Sequence, residues 1–204
     1  MFINTFHYKP EDVDCKLCTK YAKKKGCTED SCPWLAERIE AGVVGYAEAV
    51  RETFPGTGRK AYHLNARLHS AIRGFSGSLY LDEQHRQRME RLKARDGYHR
   101  KDAAARCAVM YLLSADKDLY ARTQNCFCRH GIELGYATVR GISPRDYALL
   151  SAAKGIYTGA SGVMLDDLAN AEVVDAKAFI LIVNAMLIAR YGPAVLGIRE
   201  RSGA

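Results

Sequence analysis

Apolar and polar positions alternate along most of this chain with the period of an α-helix. In the stretch PWLAERIEAGVVGYAEAVRETF, apolar residues fall at Leu35, Ile39, Val43, Tyr46 and Val50, a spacing that places them on one helical face. Gly42 and Gly45 lower helix propensity there, and PGTG at 55–58 reads as a linker. Further helices are predicted from Lys60 to Arg73, from just after Asp82 to Arg95, from Lys101 to Leu113 and from Ala115 to Cys126. Asp82 is a good N-cap for the second of these. Ser114, with Asp116 and Asp118 following, is the expected cap of the last.

Beyond Cys126 the pattern changes. GIELGYATVRGI at 131–142 is the one internal stretch able to pair as short strands. Ser143-Pro144-Arg145-Asp146 has the form of a capping box with proline at the first helical position, and predicts a helix to Tyr157. A TGASG loop follows, then a short helix near Leu165, then an apolar helix from Asp175 to Tyr191 that stops at Gly192-Pro193. Ala178 to Ala189 is the only strongly apolar run. It is well short of the roughly 20 residues that span a bilayer and it contains Asn184, so it predicts a central buried helix. The expected fold is mainly α, a helical bundle with at most a short β-hairpin. Two regions are expected: residues 1–54 and a helical domain at 59–204, divided at the linker.

Composition supports a folded chain: 48% of the 204 residues are apolar and 26% charged, and no low-complexity tract is present. The N-terminus lacks the basic-then-apolar pattern of a signal peptide, which predicts a cytoplasmic protein without a membrane partner. In that compartment thiols stay reduced, so metal explains clustered cysteines better than disulfides do.

Four cysteines fall within the short stretch CKLCTKYAKKKGCTEDSC. Cys15-x2-Cys18 and Cys27-x4-Cys32 make two close pairs, each able to bend around one ion, with a connecting loop that returns the chain. Four soft thiolates in a tetrahedral set point to one structural zinc, with no open position for substrate. Lys16, Lys20, Lys23, Lys24 and Lys25 offset the negative charge of a four-thiolate site and favour the thiolate form. Pro33 suits the first turn of a helix directly after Cys32. His7 is a spare candidate ligand. Cys107, Cys126, Cys128 and His130 leave open a second cluster, although burial as small apolar side chains is the simpler expectation.

The net charge of +7 is carried by the middle of the chain: residues 59–106 sum to +7, against −1 before them and +1 after. Such asymmetry predicts an anionic partner. In DEQHRQRMERLKARDG, Leu81, His85, Met89 and Leu92 form a narrow apolar stripe. Arg88 and Arg95 flank it on one side, and Arg86 and Lys93 on the other. Together with Arg91, Arg100 and Lys101 they are the candidate partner-binding residues. No phosphate loop, HExxH or GxSxG motif occurs, and the scattered histidines assemble no defensible catalytic set, so an enzyme is not expected.

The segments INTFHYKPEDVDCKLC and CPWLAERIEAGVVGYAEAV look like small proteins of bacterial mobile elements and phages. With its size, front cysteine site, helical remainder and basic middle, the chain resembles a zinc-bearing type II-A anti-CRISPR protein. That resemblance implies a non-enzymatic inhibitor in a bacterial host's cytoplasm. It would bind the RNA-guided CRISPR effector nuclease and block loading of target DNA. Only Cys15, Cys18, Cys27 and Cys32 carry over residue by residue. Direct nucleic-acid contact is a secondary expectation. The alternative is a DNA-binding regulator of a mobile genetic element, with a helix-turn-helix in 101–130 or 143–170.

Overall fold

The computed structural model describes residues 45–54, 61–96, 103–128, 131–160 and 162–199. Among them the chain forms α1 (Tyr46–Thr53), α2 (Tyr62–Arg73), α3 (Glu83–Asp96), α4 (Ala103–Leu113) and α5 (Lys117–Thr123). Two short strands follow, β1 (Phe127–Cys128) and β2 (Gly131–Ile132), then α6 (Pro144–Thr158), α7 (Leu165–Ala169) and α8 (Ala176–Tyr191). The architecture is mainly α, with a single two-stranded antiparallel pair in which Phe127 faces Ile132 and Cys128 faces Gly131. Among the described residues no helix is long and apolar enough to cross a membrane.

Helix α8 is central, as its all-round apolar sequence predicts. Phe179, Leu181, Ile182, Val183, Ala185, Leu187 and Ile188 are all buried, and the helix packs against α4, α6 and α1. Its start is capped by Asp175, whose Oδ1 accepts from the Ala178 N–H at 2.8 Å. It ends at Gly192, whose φ of 81° lies in the region that favours glycine. Helix α4 is the second core helix, with Ala108, Val109, Tyr111, Leu112 and Leu113 fully enclosed. Helix α1, grouped with the front of the chain by the linker at 55–58, shares this core. Tyr46 and Val50 are buried, the Tyr46 N–H donates to the Arg199 carbonyl at 3.3 Å, and Arg190 donates to the Glu52 carbonyl at 2.8 Å.

The one polar residue of the apolar run, Asn184, is the hub of a buried network. Its Oδ1 accepts from Tyr46 Oη at 2.8 Å, and its Nδ2 donates to Tyr111 Oη at 3.2 Å and to the Leu79 carbonyl at 3.3 Å. Tyr111 Oη also donates to the Leu79 carbonyl. All four polar side-chain and backbone groups are therefore satisfied, which burial demands. The network ties α1, α4 and α8 to the loop at 74–82. Phe75 of the same loop stacks on Tyr46 at 4.0 Å.

Two local expectations are corrected by the structure. The cap of α5 is Asp116, whose Oδ1 accepts from the N–H groups of Asp118 and Leu119, and the helix begins at Lys117 and gives way to a 3-10 turn at Gln124–Cys126. Ser114 turns inward instead, its hydroxyl donating to the Tyr111 carbonyl at 3.1 Å. Within 131–142 only Gly131–Ile132 is extended, and it pairs backward with β1. Leu134–Tyr136 is a 3-10 turn. Ser143 caps α6 as the sequence predicts, accepting from the Asp146 N–H at 3.1 Å. Gly162, in the loop after α6, serves close backbone approach: a Cβ there would lie 2.2 Å from the Ser151 carbonyl oxygen and 3.1 Å from Gly155 Cα.

Candidate functional site

Helix α3 is the most basic of the described helices, and its placement decides which of its cations face outward. Asp82 caps it, Oδ1 accepting from the His85 N–H at 2.7 Å. The His85 ring folds back so that Nδ1 accepts from the Leu81 N–H at 3.3 Å. With Nδ1 an acceptor, Nε2 carries the proton and donates to the Tyr111 carbonyl at 2.8 Å. The ring is fully buried, edge-on to Tyr80 at 5.3 Å and tilted against Tyr111 at 4.7 Å. Burial lowers its pKa from 6.5 to about 4, with Arg88 and Lys177 adding to the fall and the Tyr111 carbonyl and Asp82 opposing it. It is a neutral structural histidine.

Arg88 also turns inward, away from the surface where the helical wheel placed it. Its Nε donates to the Ser114 carbonyl at 2.6 Å and its Nη2 to the Ala115 carbonyl at 2.9 Å. Those carbonyls sit at the end of α4, where a helix leaves acceptors unsatisfied and carries partial negative charge. The reason is positional: Arg88 lies between the buried Met89 and Leu92 turns and the α4 terminus, so the guanidinium finds carbonyl partners before it finds solvent. It is 9% exposed and does not belong to an outer contact surface. His85, Arg88, Met89 and Leu92 together fix α3 to α4.

The remaining candidates divide. Arg86, Arg91 and Arg95 are exposed. Lys93 is half-buried and paired with Glu90 at 2.8 Å, an ordinary surface pair of adjacent turns. Arg100 and Lys101 lie outside the described residues, as do His7, His130 and the four zinc candidates Cys15, Cys18, Cys27 and Cys32.

Cys107 and Cys126 are buried, and desolvation pushes both thiols up to about 11. Cys128 is half-buried. Among the described residues no three His, Cys, Asp or Glu side chains come together as a metal site. A shallow groove of about 120 Å³ between α1 and α2 is lined by Val50, Phe54, Leu68 and Ile72, with Arg51, Asn65 and His69 at its edges.

Sequence reasoning missed Arg67. It donates to the carbonyls of Leu168 at 2.7 Å, Val174 at 2.5 Å and Asp175 at 3.1 Å, with its guanidinium 4.2 Å from the Phe179 ring centre. Burial lowers its pKa while Asp175 opposes the shift. This arginine fastens α2 to the start of α8, and no local sequence signal marks carbonyls a hundred positions away.

The two segments offered for a helix-turn-helix fold as α4–α5 and α6–α7. Helix α4 is buried, α5 exposes Lys117 beside Asp118, and α7 has five residues with Asp166 and Asp167 in its first turn. Neither second helix offers a basic reading surface. The chain is thus a mainly helical protein with a basic helix mounted on its side. No family model matches it, and no curated protein or solved structure matches it either.

Proposed function

We propose that this is a non-enzymatic, zinc-stabilised binding protein that acts by occupancy, with the exposed cations along α3 as its contact surface. The observation that carries this reading is the division of α3. Its inner face is fixed to α4 by His85 and Arg88, while Arg86, Arg91 and Arg95 remain exposed on its flanks. Zinc would be held by Cys15, Cys18, Cys27 and Cys32, the soft, paired donor set of a structural site.

Following the resemblance of the front segment, the partner is a type II CRISPR effector nuclease in the cytoplasm of a bacterial host. Grooves that hold nucleic-acid backbone are positively charged, so a basic inhibitor docks on an acidic flank beside them and keeps target DNA out. Attraction of this kind weakens with salt.

The test is size-exclusion co-elution with the guide-loaded nuclease, followed by a target-DNA binding assay. The expected result is a stoichiometric complex, an unmodified nuclease and reduced DNA loading. Arg86→Glu/Arg91→Glu/Arg95→Glu weakens the complex at least tenfold. Arg88 is excluded from this set because its replacement would damage the fold. Absence of a complex with the wild-type chain overturns the nuclease reading, and undiminished binding by the triple variant overturns the assignment of the surface.

A further inference from the structure

Helix α3 is held to the molecule differently from the core helices. Of its side chains from Glu83 to Arg95, only His85, Arg88, Met89 and Leu92 are buried, and half of that set is polar. Helix α8 buries nine side chains, all apolar except Asn184. An element with so little apolar burial lies at the low end of local stability, where opening does not require the core to unfold. It packs against α4, and both polar side chains close on carbonyls at the end of that helix, His85 on Tyr111 and Arg88 on Ser114 and Ala115.

The boundary of such an opening lies just before α3. Leu79 is buried and its carbonyl is held by Asn184 Nδ2 and Tyr111 Oη, so it stays with the core. Among the described residues, the hydrogen bonds of Tyr80, Leu81 and Asp82 stay within four positions, to Ser78, His85 and Arg86. These three residues can serve as the pivot.

His85 is the proton-sensitive part of the attachment. With Nε2 donating to the Tyr111 carbonyl, a second proton must go on Nδ1, which then no longer accepts from the Leu81 N–H. The ring becomes a cation beside Arg88 of the same helix, with Lys177 facing it from α8 and the rings of Tyr80 and Tyr111 against it. Asp82 is the acid facing it among the described residues, and its Oδ1 is already engaged by the His85 N–H. Burial opposes a charge in that position, and detachment from α4 relieves it by returning the ring to water.

We infer that α3 is a latched element that comes off α4 as a unit about Tyr80–Asp82, and that proton uptake by His85 releases the latch. Arg86, Arg91 and Arg95 ride on this element, so release displaces the contact surface proposed above. The device is independent of that reading, since its test needs no partner.

The test is native-state hydrogen exchange of the full-length protein, resolved by residue, at about pH 7 and pH 5 over a series of low urea concentrations, with intrinsic exchange rates corrected for pH. The amides of Leu81 and of α3 are expected to share one opening. It should be at least about tenfold more populated than the opening of the α8 amides, and only weakly sensitive to urea because it exposes little surface. Lowering the pH from 7 to 5 should raise it about twentyfold, the factor set by a ring that titrates near 4 when latched and near 6.5 when released. His85→Gln should abolish that increase while the separate opening of α3 persists. If this variant does not fold, the wild-type profile still decides. Exchange of the α3 amides together with those of α8, with the same urea dependence, overturns the inference. So does an α3 opening unchanged between the two pH values, or an increase that His85→Gln retains.

Discussion

His85 lies in a helix whose other polar residues face mostly outward, yet its ring is enclosed and used at both nitrogens. This makes it a proton-linked stability element. Its folded pKa of about 4 lies below the 6.5 of the exposed side chain, so as pH falls below 6.5 the unfolded chain takes a proton that the folded chain refuses. The contribution of His85 to stability is therefore flat above about pH 6.5 and declines by roughly 1.4 kcal/mol per pH unit as pH falls toward 4. Between pH 7.5 and pH 5.0 the expected loss is about 2 kcal/mol, measured by urea unfolding. The assignment is checked with His85→Gln, which starts from a lower stability but should lose the pH dependence over this interval. A variant that keeps the wild-type slope would place the linkage elsewhere.

Helix α3 as an element is held by two buried polar side chains as well as by its narrow apolar stripe. Removing Arg88 leaves the Ser114 and Ala115 carbonyls at the end of α4 without their charged donor. Arg88→Ala is expected to cost about 3 kcal/mol in chemical denaturation, whereas Arg91→Ala, one turn on and exposed, should stay within about 0.5 kcal/mol of wild type. A comparable cost for both would mean that Arg88 carries no special load.

The contrast also shows what was legible in the sequence. The existence and order of the helices were, because period and capping residues are local: Asp82, Ser143, Asp175 and Gly192 all act at the expected ends. The inward turn of Arg88 was not, since its acceptors lie 26 and 27 positions away and a wheel assigns charge to solvent by default. Asp116 displaced Ser114 as the cap of α5 for a related reason: the serine hydroxyl found a buried carbonyl of α4 first.

At the scale of the whole molecule, the helical core and the proposed zinc site should be separable. The core closes among described residues: α1 is held by Asn184 and the chain end, and the buried cluster runs from Tyr46 to Ile198. A structural zinc contributes about 10 kcal/mol or more to a small module that lacks a core of its own. Its removal should therefore unfold the cysteine-bearing front and spare α1, whose anchors lie elsewhere. The purified chain, prepared reduced and without chelator, is expected to hold one equivalent of zinc. Cys15→Ser or Cys27→Ser should release it. Trp34, the sole tryptophan, lies two residues past Cys32 and reports the front segment. Chelation should shift its emission, while far-UV circular dichroism retains most of its helical signal and the main thermal transition persists. Less than about half an equivalent of zinc in the wild-type chain would remove the metal site from this description. Loss of the helical signal together with the metal would instead show that the front segment and the core fold as one unit.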